Sequence, residues 1–241
     1  EKRRLEEQLR HADRLATIGK LASGVAHELN EPLGSILGFA QLARKAPGLP
    51  PRAGQDLERI IAASLHAREV VRKLMLFARQ MPPRRSPLDL NRVVKEALYL
   101  FEARCARQGI ELDLSLAKDL PEVRADATQL TQVLTNLVVN AIQAMPGGGK
   151  LFVVTRAEGP SVILGVEDTG VGMSPEVQRQ IFLPFFTTKD VDEGTGLGLA
   201  VVHGIVTAHQ GTVRVESQVG RGTRFEIRLP LAPPNGEKDE E

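Results

Sequence analysis

ATQLTQVLTNLVVNAIQAM, residues 127–145, carries two patterns at once. Leu130, Val133, Leu134, Leu137, Ala141 and Ile142 recur at spacings of three and four, the apolar stripe of an amphipathic helix. Gln129, Gln132, Asn136, Asn140 and Gln143 recur the same way on the opposite side. Asparagine is a poor helix former, and solvent-facing helices usually carry Glu and Lys. The uncharged amide stripe is therefore either an unusual solvated face or a surface for a ligand bearing anionic phosphates and a metal ion.

On either side of this helix the period changes. IELDLSL (110–116) alternates as a strand, and KLFVVTRA (150–157) and SVILGVED (161–168) are strands joined by EGP. GTVRVESQ (211–218) and GTRFEIRLP (222–230) close the pattern around VGR, while residues 90–108 and LGLAVVHGIVTAHQ (197–210) are helical. Strands with interspersed helices predict an α+β sandwich, helices packed on one face of a mixed sheet.

The segments between these elements carry further signals. VEDTGVGMS (166–174) follows a strand and contains Asp168, Gly170 and Gly172 as D-x-G-x-G. Glycines let a chain turn tightly and approach a ligand, and the carboxylate can accept from an exocyclic amine; an ordinary turn fits too. EGTGLGLAVVHG (193–204) opens a helix with Gly194, Gly196 and Gly198, whose backbone N–H groups suit phosphate. It is not G-x-G-x-x-G, and GGGKL (147–151) lacks the first glycine and the Ser/Thr of a Walker A loop. In IFLPFFTTKD (181–190), Phe182, Phe185 and Phe186 are either plain core or the anchors of a mobile loop, with Lys189 placed to neutralise a terminal phosphate.

Upstream, residues 1 to about 80 contain helical patterns only. In LASGVAHELNEPLGSI (21–36), Leu21, Val25, Leu29, Leu33 and Ile36 share one helical face. His27 lies two residues from both Val25 and Leu29, so at about 100° per residue it projects away from that stripe. Ile18, Ala22, Val25, Leu29, Ile36 and Ala40 keep near-heptad spacing, APGLPP (46–51) is a turn, and a second helix bears Leu57, Ile60, Ile61, Leu65, Val71, Leu74 and Met75. One helical hairpin buries both stripes poorly, so dimerisation into a four-helix bundle is expected.

Composition narrows the function classes. With 42% hydrophobic residues among 241 the chain is a folded protein, and a net charge of +1 gives no argument for nucleic acid or membrane. A single cysteine, Cys105, excludes an internal disulfide framework. No run reaches the roughly 18 apolar residues of a membrane span. The opening EKRRLEEQLRHADRLATIGK begins mid-helix, as a piece of a longer protein would.

Taken in order, the amide-bearing helix, D-x-G-x-G, FFTTK and G-T-G-L-G-L resemble the N, G1, F and G2 boxes of the histidine-kinase ATP-binding domain, the Bergerat fold. Residues 21–36 resemble the H box of its dimerisation and phosphotransfer domain. The likeness covers residues 15–230 and is nearest the nitrogen-regulation type of sensor kinase. It implies a dimeric all-α hairpin followed by the α+β sandwich: a signalling helix at 1–14, the phosphotransfer domain at 15–80, a linker at 81–87, the ATP-binding domain at 88–231 and a disordered tail at 232–241.

The resemblance also implies chemistry. His27 matches the phosphoacceptor, and Glu28 matches the acidic neighbour that orients its ring. Pro32 removes the hydrogen bond to the Glu28 carbonyl and bends the helix just past the site. Asn140 would ligate Mg²⁺, Asn136 would support the phosphate side, Asp168 would read the adenine amine, and Gly170 and Gly172 would line that pocket. Lys189 would approach the γ-phosphate, while Thr195, Gly196, Leu197 and Gly198 would wrap the phosphates of ATP. The partners implied are a second copy of the chain and a response-regulator receiver, with no nucleic acid, no membrane contact by this fragment and a cytoplasmic setting. One position departs from the pattern: Glu31 stands where many relatives carry Asn, Thr or Gln, which predicts weak phosphatase action. An ATPase driving a conformational clamp and a non-catalytic dimeric scaffold are the competing readings. His11 and His66 are expected exposed, and His203 and His209 are expected to pack or cap the last helix.

Overall fold

A computed structural model describes residues 28–78, 83–189 and 195–231. His27, the 1–14 segment and the 232–241 tail lie outside the described residues. The chain divides into two units, residues 1–81 with 189–197, and residues 82–188 with 198–241.

In the first unit, residues 28–44 form helix α1, and Pro51–Ala78 form α2, a helix of 28 residues. The turn between them is closed by the Lys45 and Ala46 amides on the carbonyls of Leu42 and Ala43. A loop this short leaves α2 only the path back along α1. Leu37, Ala40, Ser64 and Val71 are buried, whereas Leu29, Ile36, Phe39, Leu42, Ile60 and Leu65 are exposed. Leu29 and Ile36, expected in the buried stripe, are thus uncovered in a single chain. A helix surrounded by one neighbour can bury only one of its apolar faces.

The second unit holds a five-stranded sheet in the order β2-β4-β5-β7-β6. Its strands are β2 (Ile110–Leu116), β4 (Gly149–Glu158), β5 (Ser161–Asp168), β6 (Thr212–Gln218) and β7 (Gly222–Pro230). β2 and β4 are parallel and the other pairs antiparallel. A parallel pair needs a long crossover, and this one contains helix α4 (Ala127–Ala144). Helices α3 (Leu90–Arg107), α4 and α6 (Gly198–Ala208) pack with the sheet, α4 lying against both of the others.

Two short strands escaped the sequence reading. β1 (Ser86–Leu88) pairs antiparallel with β3 (Val123–Ala125). Ser86 and Pro87, read as linker, therefore belong to a strand of the second unit. Strands of three residues are too short to display an alternation.

The core lies between the helices and one sheet face. Leu130, Val133, Leu134, Leu137, Val138, Ala141 and Ile142 of α4 are all buried, facing Leu151, Val153, Val162, Leu164 and Val166. Each fully buried aliphatic side chain contributes roughly 1.5–3 kcal/mol. The other sheet face is polar except at its middle. Arg156 on β4 reaches Glu226 on β7 at 2.6 Å, and Arg228 on β7 reaches Glu158 on β4 at 2.9 Å. Both pairs cross over β5, where Ile163 stands opposite Arg156 and Arg228 and is 0% exposed. Arg156 and its arginine neighbours hold the Glu226 carboxyl below the usual range.

Candidate nucleotide site

Helix α4 starts at Asp126, whose Oδ1 accepts the backbone N–H groups of Thr128 (2.9 Å) and Gln129 (3.1 Å), satisfying donors a helix start leaves open. That fixes the phase of the helix. Its apolar stripe is buried, and Gln129, Gln132, Asn136 and Asn140 are left half-buried on the side that meets α6. The Asn136 amide donates to the Gly198 carbonyl at 3.2 Å. A Cβ added to Gly198 would stand 3.8 Å from the Asn136 side chain and 4.0 Å from that of Asn140. The start of α6 is therefore seated on the two mid-helix asparagines, which explains two poor helix formers there.

β5 delivers Asp168 on the same side of the sheet, 5% exposed. Its Oδ1 accepts the Gly170 N–H at 2.9 Å. Burial pushes its carboxyl up to about 6, against the pull of hydrogen bonds from the Gly170 and Thr223 backbone. The loop after it is stapled on two sides. The Val171 N–H donates to the Ala144 carbonyl at the end of α4 (3.0 Å), and the Val171 carbonyl accepts from Gly220 in the β6–β7 turn (2.8 Å). Met173 donates to the Ser217 hydroxyl at 2.8 Å. A Cβ on Gly170 would strike the Ala144 carbonyl. Gly172, at φ 65°, would strike the Gln218 carbonyl. D-x-G-x-G thus holds Asp168 at the junction of α4 and the closing hairpin, and the two glycines are required by close backbone approach.

That hairpin was legible as strands but not as part of the site. Thr223 pairs in register with Asp168, and Ser217 bonds both the Gly222 carbonyl (3.0 Å) and the Thr223 hydroxyl (2.8 Å). The signal was the Gly-Thr at the start of β7, a buried hydroxyl residue where a strand begins. A one-turn helix α5 (Pro175–Gln178) follows, and Gln178 donates to the carbonyls of Met173 (3.1 Å) and Ser217 (2.8 Å).

The phenylalanines separate. Phe182 packs on His203, ring centroids 5.2 Å apart at 45°, and Phe186 is half-buried. Phe185 is 53% exposed with φ 66°, so it is neither core nor anchor. Lys189, Thr195, Gly196 and Leu197 belong to the first unit, where Gly196 has φ 65° and Leu197 is buried. Glu28 and Glu31 are exposed on α1. His66 is half-buried, not exposed as expected. His209 packs as expected: its ring is 2% exposed.

Residues 125–233 match the family model described as histidine kinase-, DNA gyrase B- and HSP90-like ATPase, and residues 17–82 match the His Kinase A (phospho-acceptor) domain. The chain belongs to the histidine kinase family. Among curated relatives of this histidine kinase family member is the sensor histidine kinase ZraS of Escherichia coli (strain K12), 38% identical over 94% of this chain and 48% of that protein. The chain spans about half the length of that relative. Full-length ShkA, solved in complex with AMPPNP, aligns with a TM-score of 0.74 and 27% identity over 90% of this chain and 47% of its own. Histidine kinase ThkA, solved in complex with response regulator protein TrrA, aligns with a TM-score of 0.66 and 26% identity over 95% of this chain and 66% of its own. No helix among the described residues of this family member is long and apolar enough to cross a membrane.

Proposed function

We propose that the chain is the catalytic core of a two-component sensor kinase, which phosphorylates His27 from ATP and then passes the phosphoryl group to an Asp of a response-regulator receiver. The observation that carries this reading is Gly198 seated on Asn136 and Asn140, with Asp168 buried at the end of β5 ahead of a loop bonded to the end of α4, in a chain whose residues 17–82 match a phospho-acceptor domain. AMPPNP in ShkA and a response regulator on ThkA support the two substrates.

The roles follow from the chemistry. Asp168 has a second carboxylate oxygen for the adenine amine while Oδ1 holds Gly170. Gly170 and Gly172 shape that pocket; Gly196 and Gly198, with Thr195 and Leu197, offer backbone to the phosphates; Lys189 neutralises the γ-phosphate. Asn140, half-buried beside Gly198, offers one neutral oxygen, which suits Mg²⁺ held mainly by substrate phosphates. Asn140 would hold Mg²⁺ there, and the ion would supply charge neutralisation for the transferring phosphoryl group. A neutral ring nitrogen of His27 attacks the γ-phosphorus as the bond to the bridging oxygen breaks, giving ADP and phosphohistidine. Glu28 accepts the other ring N–H and stabilises the positive charge that develops. The exposed apolar residues of the first unit support a homodimer; the phosphotransfer domain is placed at 15–80 and the ATP-binding domain from Ser86 onward, where strand β1 starts, and the setting proposed is cytoplasmic.

The test is incubation with Mg²⁺ and γ-labelled ATP. Label that is acid-labile and base-stable on the wild type, and absent from His27→Gln, is the expected result. Free phosphate from both proteins with no protein label points instead to a clamp ATPase. Glu31, one turn from His27, would sit near the phosphorylated Asp of the regulator and repel it. Glu31→Asn is expected to dephosphorylate the regulator faster than the wild type, measured as decay of the labelled regulator.

A further inference from the structure

Helix α6 is tied to α4 at both of its ends. At one end the Asn136 amide donates to the Gly198 carbonyl at 3.2 Å. At the other, the Asp126 N–H donates to Nε2 of His209 at 3.0 Å. Asp126 caps α4 and His209 follows the last residue of α6, so the two bonds together fix the register of one helix on the other.

The His209 ring has both nitrogens committed. Nδ1 lies 2.8 Å from the Ile205 carbonyl, so Nδ1 carries the hydrogen and Nε2 is the acceptor. Two charged side chains face it. Arg85 donates from Nη2 to the Ala208 carbonyl, and its Nε is buried with no hydrogen-bond partner. Asp126 has its carboxylate occupied, Oδ1 by Thr128 and Gln129, and Oδ2 by the Arg84 N–H at 3.1 Å. The segment that leads the chain into this unit is thereby bound to the last turn of α6 and the first of α4.

We propose that Arg85, Asp126 and His209 form a latch that holds α6 in register on α4, and that a second proton on His209 opens it. The added proton turns the Nε2 acceptor into a donor facing another donor, the Asp126 N–H. It also sets a cation beside Arg85 on a ring that is itself buried, where charge repulsion is strengthened. Opening frees the Arg84–Arg85 segment and lets α6 slide, loosening Gly198 from Asn136. Burial holds the ring below its ordinary value of 6.5, with Arg85 opposing protonation and Asp126 favouring it. The latch is therefore closed at neutral pH and opens on acidification. Arg85 and His209 act on the nucleotide site as positioning residues.

Hydrogen–deuterium exchange on the whole chain, corrected for intrinsic rates, tests the latch at about pH 7.5 and about pH 5. Protection of the Arg84, Arg85 and Asp126 amides is expected to fall about tenfold in the wild type at the lower pH. It is expected to stay level in His209→Gln, whose side-chain carbonyl accepts from Asp126 without titrating. No fall in the wild type, or an equal fall in both, overturns the proposal. Arg85→Met removes the cation that a protonated ring would face, so the fall in Asp126 amide protection between the two pH values is expected to shrink; an undiminished fall overturns the proposal without relying on the glutamine variant. The effect on nucleotide rests on the function proposed above. A fluorescent ATP analogue is expected to lose affinity on acidification more in the wild type than in His209→Gln, a difference that cancels the titration of Asp168 common to both. No binding at any pH would sink the nucleotide reading and leave exchange to judge the latch.

Discussion

At the scale of single residues, Asp168 is the side chain whose environment says most. A carboxyl raised to about 6 is favoured by the fold in its neutral form. That stabilisation is full below the unfolded value of 3.8 and is lost as pH rises through about 6. Keeping the ionised form at neutral pH costs the fold on the order of 2–3 kcal/mol. Asp168→Asn is therefore expected to melt higher than the wild type at alkaline pH. On the role proposed for Asp168, the same change leaves one oxygen, which the Gly170 N–H takes, and turns an NH₂ toward the adenine amine. ATP affinity, read by calorimetry, is expected to drop at least about tenfold. In the wild type, affinity should weaken as pH falls below about 6, where the carboxylate is lost. Gly172→Ala has no space for its Cβ, since the atom it meets is backbone that cannot turn aside. A loss of about 2 kcal/mol or more in denaturant unfolding is expected. Both residues were visible in the sequence as D-x-G-x-G, but not the reason for the glycines. That reason lies in the carbonyls of Ala144 and Gln218, which are far away in the chain and near in space.

At the scale of elements, α4 shows what a periodic sequence can convey. Its buried stripe is the one read from spacing, because every residue of that stripe meets the sheet or a neighbouring helix. Leu134→Ala is expected to cost 2–5 kcal/mol in chemical unfolding, as deletions of buried leucine do. The five long strands were equally legible, each running seven residues or more. β1 and β3 were not, since three residues cannot declare a period and their pairing joins positions 86–88 to 123–125. The IFLPFFTTKD segment (181–190) gave a half-right answer for a similar reason. Hydrophobicity is common to Phe182 and Phe185, but only the fold decides that His203 stands beside the first and solvent beside the second.

At the scale of the molecule, the first unit leaves Phe39 72% and Leu42 66% exposed on one helix, with Ile60 and Leu65 open on the other. Such a surface is expected to be covered by a second copy. Phe39→Glu should shift the mass measured by light scattering from dimer to monomer while ATP binding persists. The second unit disposes of its other sheet face differently, with charged side chains on the strands themselves. Two crossing ion pairs roof Ile163, and the gap at Gly165 next to it is taken by a methyl of Val154, 2.6 Å from where a Cβ would stand. Positions 163 and 165 thus lie on the solvent side of the sheet and yet are as constrained as any interior site. In a saturation library selected for folding, both should accept about as few amino acids as Leu164 on the opposite face. A map of variation across this surface would then record an enclosed position where the sheet is nominally bare.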